Sequence, residues 1–216
     1  MTVHWVYRIC NPAIRMLLFL LSRWEVRGKE NVPREGPLIV VANHMTNIDP
    51  PMLSVSLGRY AMFMAKEGLF RSKLSSYFMR GLGAFPVHRE GMQREAIITA
   101  EKVLANGCVL GIFPEGMRSR TGQLRQAFPG SAMIALRTGV PVLPAAITGT
   151  ETVRGMVWLR RPRLTVTFGR PFHLPPPGGN NKNRDKCAGY MMERIAELLP
   201  PEYRGVYEHV GTEKAT

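Results

Sequence analysis

The sequence predicts an α/β fold, a single domain with a mixed, mostly parallel sheet that is flanked by helices and preceded by an amphipathic N-terminal helical segment. A length of 216 residues suits one such domain. The apolar fraction of 45% and the charged fraction of 21% are those of a globular protein. Short β-branched runs alternate with amphipathic stretches, as in strands joined by helices. We therefore divide the chain into an N-terminal segment, residues 1–27, and one domain, residues 28–216.

The N-terminal segment contains an apolar run at residues 16–21. Arg15 and Arg23 enclose this run, so it is shorter than the ~20 residues that span a bilayer. A helix over residues 12–24 would place four apolar side chains on one side, those of Ile14, Leu17, Leu18 and Leu21. With arginines around it and tryptophans near its ends, this pattern indicates a helix in a membrane interface. A terminal helix packed on the core of the domain is the alternative.

The domain begins with a strand, a polar loop and a helix. A turn-rich stretch at residues 28–36 precedes the run at residues 38–42, which has the length and β-branching of a buried strand. Residues 43–49 form a loop. Asp49 precedes a proline, and proline suits the first position of a helix, so we predict Asp49 as the N-cap of a helix through residue 57.

The same alternation continues toward the C-terminus. Further strands are predicted at residues 61–65, 84–87, 109–113, 140–147 and 164–168. Helices are predicted at residues 72–80, 92–105, 130–137 and 186–199. Strands that alternate with helices form largely parallel sheets, and the reactive groups of such sheets gather on the loops that leave the carboxyl ends of the strands.

The chain is strongly basic, with 29 Lys and Arg against 16 Asp and Glu, a net charge of +13. Its partner should be anionic, either a lipid surface or nucleic acid. Binding of single-stranded nucleic acid would need exposed aromatic residues on a basic face, whereas the phenylalanines lie mainly within apolar runs. We therefore predict an anionic membrane lipid surface and no nucleic acid, and keep a non-catalytic nucleic-acid-binding protein as the alternative from another class.

The three cysteines lie far apart and form no C-x-x-C pair. This spacing argues against a disulfide framework or a zinc site and indicates a reducing, cytosolic environment. No metal site is predicted.

Two loops that follow buried strands carry the residues suited to chemistry. The first, N-H-M-T-N-I-D-P, holds His44 and Asp49. A neutral imidazole can take a proton from an alcohol, and a carboxylate on its other nitrogen orients the ring and stabilises the imidazolium. The second, F-P-E-G-M-R-S-R-T-G, holds Glu115, Arg118 and Arg120. Arginine suits a phosphate, although a solvated charged turn has the same composition.

Six blocks taken in order resemble the glycerolipid acyltransferase family, which includes the lysophosphatidic acid acyltransferases. The blocks are G-K-E-N-V-P at residues 28–33, N-H-M-T-N-I-D at 43–49, A-K-E-G-L-F at 65–70, L-G-A-F-P-V-H-R at 82–89, F-P-E-G-M-R-S at 113–119 and V-P-V-L-P at 140–144. The resemblance implies direct attack on a thioester with no acyl-enzyme, in keeping with a sequence that has no G-x-S-x-G motif. No metal or covalent cofactor is implied.

The resemblance also implies a role for each matching residue. His44 would be the general base, and Asp49 would orient it. Arg89 and Arg118 would bind the acceptor phosphate, Glu115 and Gly116 would shape the acceptor pocket, and Arg120 and Lys66 are further candidates.

The implied reaction moves a fatty acyl group from acyl-CoA or acyl-carrier protein to the sn-2 hydroxyl of lysophosphatidic acid, giving phosphatidic acid in phospholipid biosynthesis. The expected location is peripheral, at the cytoplasmic face of the cell membrane. Gly68 stands where the family usually has glutamate, Met117 replaces a common threonine, and His88 is unusual before the arginine. These departures leave other acceptors open, namely glycerol-3-phosphate, another lysophospholipid or a glycolipid.

Overall fold

The computed structural model describes residues 5–87, 94–153, 160–175 and 181–210. Within them the helices are α1 (Trp5–Leu21), α2 (Asp49–Leu57), α3 (Lys73–Gly81), α4 (Arg94–Ala105), α5 (Gly130–Thr138) and α6 (Asn181–Ala196). The strands are β1 (Arg23–Arg27), β2 (Leu38–Ala42), β3 (Ala61–Lys66), β4 (Ala84–Val87), β5 (Val109–Ile112), β6 (Val142–Thr148) and β7 (Arg163–Phe168). Short 3-10 turns lie between several of these elements, among them Glu67–Phe70 and Thr150–Thr152.

The described strands form one sheet in the order β1-β7-β6-β2-β5-β3-β4. The strands from β6 to β4 in that order are all parallel to one another. β7 runs antiparallel to β6, and β1 runs parallel to β7. The predicted mixed, mostly parallel sheet with flanking helices is therefore confirmed.

The hydrophobic core lies on both faces of the sheet because side chains alternate along each central strand. From β2, Ile39 and Val41 pack with buried residues of α4, α5 and α6. Leu38, Val40 and Ala42 point to the other face and pack with buried residues of α1 and α2. All residues of β2 and β5 are buried, as their apolar sequences predict.

The N-terminal segment differs from its prediction. α1 begins at Trp5 and ends at Leu21, and residues 23–27, predicted partly as helix, form the strand β1, which pairs with β7. Of the four apolar residues predicted to face a membrane, Leu18 is buried and Ile14 packs against the core, whereas Leu17 and Leu21 are exposed. Of the helices within the described ranges, none is both long enough and apolar enough to cross a bilayer.

The predicted N-cap at Asp49 is also wrong. α2 begins at Asp49 itself, with Ile48 in the cap position, because the Asp49 carboxylate is turned back toward the preceding loop. The last helix begins at residue 181 and ends at residue 196, earlier than predicted at both ends. The other helices and strands lie within two residues of their predicted bounds, apart from residues 92–93 of the α4 prediction, which fall outside the described residues.

Candidate active site

The carboxyl ends of β5, β2 and β6 meet at one edge of the sheet, which we call the site edge. These three strands are neighbours and parallel, so the segments that follow them lie side by side. His44 follows β2, Glu115 follows β5 and Thr150 follows β6. The two loops that the sequence analysis singled out are thereby brought together.

His44 and Asp49 form a hydrogen-bonded pair within the loop after β2. The distance from His44 Nδ1 to Asp49 Oδ2 is 2.9 Å, and Asp49 is completely buried. An ionised carboxylate can only accept hydrogen bonds, so this contact places the ring proton on Nδ1 and leaves Nε2 as the proton acceptor. The imidazole keeps 16% of its side-chain surface exposed, which gives a substrate access to the ring.

Other donors surround the Asp49 carboxylate. Oδ2 also accepts hydrogen bonds from the backbone N–H groups of Met45 at 2.6 Å and Thr46 at 2.7 Å. Oδ1 accepts from the hydroxyl groups of Thr46 at 3.0 Å and Thr150 at 2.7 Å. Hydrogen bonds to the charged form offset the cost of burying a carboxylate. These contacts hold the carboxylate in a fixed orientation, with Oδ2 directed at His44 Nδ1.

The sequence analysis missed Thr150 and Asn43. Thr150 lies just beyond the carboxyl end of β6, a position where reactive groups of parallel sheets gather, and that placement was the available signal. The Asn43 side chain bonds to both the carbonyl and the N–H of Ile147, at 2.8 and 2.7 Å. It thereby extends the pairing of β2 with β6 up to the residue before His44.

Glu115 is turned inward. Its Oε1 accepts the N–H of His44 at 2.9 Å and its Oε2 accepts the N–H of Arg125 at 3.1 Å. From the same loop, the N–H of Ser119 donates to the carbonyl of His44 at 2.7 Å. The loop after β5 therefore holds both backbone polar groups of His44. The ring of His44 in turn stacks on Phe113, with centroids 4.2 Å apart.

Gly116 has a left-handed backbone, with φ of 66°. A Cβ atom at this position would lie 2.8 Å from the ring of Phe128. Both the backbone conformation and the close ring favour glycine here. This residue lets the loop after β5 turn sharply beside Glu115.

Three of the residues proposed to contact the phosphate, Lys66, Arg118 and Arg120, have exposed side chains. Arg118 and Arg120 flank Ser119, whose N–H donates a hydrogen bond to the carbonyl of His44. The two arginines therefore lie in the loop that packs against His44. Lys66 is the last residue of β3 and lies at the same site edge. Arg89 lies outside the described residues. In the described part of the chain, no cluster of three or more His, Cys, Asp or Glu side chains is arranged to hold a metal ion.

Comparisons with known proteins point to one family. A family model described as Acyltransferase matches residues 23–148. A 1-acyl-sn-glycerol-3-phosphate acyltransferase of Bacillus subtilis is 31% identical over 169 residues, which are 78% of this chain and 83% of that protein. A protein of the same name from Borreliella burgdorferi is 32% identical over 128 residues, and the match spans 58% of this chain and about half, 51%, of that protein.

The fold is also similar to a solved structure. The crystal structure of the 1-acyl-sn-glycerophosphate (LPA) acyltransferase PlsC from Thermotoga maritima superposes with a TM-score of 0.66 at 28% sequence identity. The match covers 89% of this chain and 81% of that chain.

The titration of Glu115 gives a test of the inward geometry. Burial raises the pKa of the Glu115 carboxyl to about 7, and the hydrogen bonds from His44 and Arg125 offset part of that effect. In the unfolded chain the ordinary value is 4.5. Between these two values the folded protein binds more protons than the unfolded chain, so the stability contributed by Glu115 falls as the pH rises.

We compare the free energy of unfolding of the unmodified protein with that of Glu115→Gln. The difference, unmodified protein minus variant, should fall as the pH is raised from 4.5 to 7. The fall should be at most about 3 kcal/mol. Urea denaturation followed by circular dichroism at a series of pH values measures this difference. The same substitution at exposed Glu95 is the control and should show no such trend. A difference for Glu115→Gln that stays flat would contradict the inward geometry.

Proposed function

The chain belongs to the acyltransferase family, and we propose that it transfers a fatty acyl group from acyl-CoA or acyl-carrier protein to the sn-2 hydroxyl of lysophosphatidic acid, giving phosphatidic acid. The observation that carries this proposal is the 2.9 Å contact of His44 Nδ1 with the buried carboxylate of Asp49 at the site edge. That contact prepares Nε2 to accept a proton from an alcohol. The names of the relatives support the choice of acceptor.

The proposed reaction is a direct displacement at the thioester carbonyl. His44 Nε2 takes the proton from the sn-2 hydroxyl as its oxygen attacks the carbonyl carbon and forms the new C–O bond. Collapse of the tetrahedral adduct breaks the C–S bond, and the proton passes from Nε2 to the departing sulfur as the donor leaves as a thiol. Asp49 stabilises the imidazolium that exists between these steps. The cycle needs no metal and no covalent cofactor.

The acceptor is held by its phosphate in this proposal. Arg118 binds the phosphate together with Arg89, and the exposed side chains of Arg120 and Lys66 add positive charge at the same edge. Glu115 and Gly116 shape the acceptor pocket indirectly, because they hold the loop that carries Arg118 against His44. A planar guanidinium can bind two phosphate oxygens at once, which an ammonium cannot.

The proposed location is the cytoplasmic face of the cell membrane, as a peripheral protein on anionic lipid. α1 exposes an apolar stripe on the side opposite the one that packs on the core, formed by Trp5, Ile9, Met16 and Leu20. These residues recur at intervals of four and seven, which places them on one face of a helix. Arg8 and Arg15 lie beside the stripe. This is the arrangement of a helix that lies in a membrane interface.

His44→Ala should abolish measurable transfer, because a positioned base typically contributes roughly 100- to 10,000-fold to the rate. Asp49→Asn should lose most of the activity, because the amide cannot stabilise the imidazolium and can hold the wrong tautomer of the ring. Transfer is measured by mass spectrometry of the lipid product formed from acyl donor and lysophosphatidic acid. The control is His173→Ala, a histidine whose Nδ1 contacts the carbonyl of Gly139 at 3.1 Å. Robust transfer by folded His44→Ala protein would refute the mechanism.

Arg118→Lys should lower kcat/KM for lysophosphatidic acid by about tenfold, because the charge remains but the two-pronged contact is lost. The KM for the acyl donor should change little. Arg137→Lys, at the end of α5 and paired with Glu101, is the matched control.

A panel of acceptors tests the role of the phosphate. Monoacylglycerol, which lacks the phosphate, should be a poor acceptor for the unmodified protein, and glycerol-3-phosphate should be poorer than lysophosphatidic acid. Equal use of monoacylglycerol and lysophosphatidic acid would contradict the assignment of Arg118 to the phosphate.

A further inference from the structure

The segment after β3 exposes large apolar side chains that the proposed chemistry does not use. Leu74 is 69% exposed and Phe78 is 43% exposed, and Leu69 and Tyr77 are exposed as well. Leu74, Tyr77 and Phe78 are spaced by three and four residues, so they share one face of α3. Contiguous exposed apolar residues on a soluble domain commonly mark a surface that binds a partner.

This face of α3 adjoins the exposed stripe of α1. Trp5 Nε1 donates a hydrogen bond to the hydroxyl of Tyr77 at 2.8 Å, and the two rings lie 6.4 Å apart. Trp5 is also the first residue of the α1 stripe. We call the exposed apolar side chains of α1 and of residues 67–81 together the docking face; its members are Trp5, Ile9, Met16, Leu17, Phe19, Leu20, Leu21, Leu69, Leu74, Tyr77 and Phe78.

The charges around the docking face favour an anionic lipid surface as its partner. The two segments that carry it contain five basic residues, Arg8, Arg15, Arg71, Lys73 and Arg80, against one acidic residue, Glu67. All six side chains are exposed. Basic residues near an anionic bilayer add attraction to the burial of apolar side chains. Tryptophan and tyrosine are amphipathic and suit the boundary between headgroups and acyl chains.

Both halves of the docking face begin or end at the site edge. Residues 67–81 follow Lys66, the carboxyl end of β3, which is parallel to β2 and β5. α1 ends just before β1, whose first residue Arg23 pairs with Arg163 of β7. Because β7 is antiparallel to β6, its beginning lies beside the carboxyl end of β6. The docking face therefore adjoins the edge of the sheet that carries His44.

We propose that residues 67–81 are the second half of a membrane-docking surface, in which Leu74, Tyr77 and Phe78 enter the interface of an anionic bilayer beside α1. This inference deepens the proposed function and rests on it for the reason that a lipid acceptor must reach His44. Vesicle binding itself requires no acyl transfer, so the two can fail separately.

The test is a double variant, Leu74→Ser with Phe78→Ser, which leaves Tyr77 and its contact with Trp5 in place. Co-sedimentation with vesicles of phosphatidylcholine and phosphatidylglycerol should show about tenfold weaker partition. Activity with lysophosphatidic acid in detergent micelles should stay at the level of the unmodified protein. The matched control is Ile98→Ser with Val206→Ser, which removes apolar side chains that are 38% and 63% exposed elsewhere on the surface. The control should bind vesicles as the unmodified protein does.

Partition of the double variant that equals that of the unmodified protein would overturn the docking role of α3, and so would an equal loss in the control. A second variant, Arg71→Gln with Lys73→Gln, removes two positive charges and keeps every apolar residue of the docking face. It should weaken binding about tenfold on vesicles that contain phosphatidylglycerol and leave binding to pure phosphatidylcholine unchanged. Unchanged binding to both would overturn the anionic partner. Vesicle binding by an unmodified protein that transfers no acyl group would refute the enzymatic proposal alone.

A separate observation concerns Thr150. Its side chain is completely buried, and its hydroxyl donates to Asp49 Oδ1 at 2.7 Å. Gly149, just before it, has a φ of 89°, and a Cβ there would lie 2.0 Å from the carbonyl oxygen of Arg163. The turn at Gly149 packs closely on β7, and this packing fixes the position of Thr150. We infer that Thr150 is a positioning residue whose hydrogen bond keeps Asp49 Oδ2 directed at His44 Nδ1.

Thr150→Val removes the hydroxyl and keeps the shape. It should lower kcat about tenfold while the KM for the acceptor stays unchanged, because the lost bond orients Asp49, which in turn orients the base, and does not bind substrate. Thr150→Ser should restore kcat to within about threefold. Thr152→Val is the matched control, since Thr152 is exposed and its hydroxyl bonds to the Gly149 carbonyl.

The proton resonance of His44 Nδ1–H supplies a readout that needs no turnover, so this inference can fail separately from the proposed function on which it rests. The resonance should shift in Thr150→Val and return in Thr150→Ser. An unshifted resonance with unchanged kcat in folded Thr150→Val protein would overturn the positioning role. A rise in acceptor KM at unchanged kcat would overturn it as well.

Discussion

The completely buried carboxylate of Asp49 imposes the main constraint on the site. Such a group is costly to bury unless donors surround both of its oxygens. Here the donors come from the His44 ring, from backbone N–H groups of the loop after β2, and from Thr150 beyond β6. Satisfying this one group therefore orders the loop, orients the imidazole and ties two neighbouring strands together. The orientation of His44, the proposed base, therefore follows from the need of the buried Asp49 carboxylate for hydrogen-bond donors.

A second buried carboxylate has a different role. Glu115 accepts only backbone N–H groups in the contacts described here, and burial raises its pKa to about 7, whereas Asp49 accepts from the imidazole. Together with Ser119, it fixes the backbone of His44 relative to the loop that carries Arg118. Asp49 therefore orients the ring of the proposed base, and Glu115 fixes the position of that base relative to the loop that carries Arg118.

The proposed docking face adds the third constraint, which is access. A lipid acceptor lies in a bilayer, so the site edge must face that bilayer if the hydroxyl is to reach His44. α1 ends and residues 67–81 begin at the site edge, so both elements adjoin the end of the sheet that carries His44. One side of α1 packs on α2 and the sheet, and the other side is exposed. The helix is thus packed on the core, as one of the two sequence-based alternatives expected, and it also has an exposed side that is proposed to meet the membrane.

Local sequence determined the alternation of strands and helices, the loops that follow β2 and β5, and the pairing of His44 with Asp49, because each depends on residues close together in the chain. Other features depended on partners far away in sequence. β1 reads R-W-E-V-R, without an apolar run, and is a strand because it pairs with β7, about 140 residues later. The inward turn of Glu115, the donation from Thr150 and the choice of which side of α1 is exposed were likewise decided by the packing of the sheet. A sequence pattern records the polarity of a side chain, but only tertiary structure brings it to the donor or surface that completes its role.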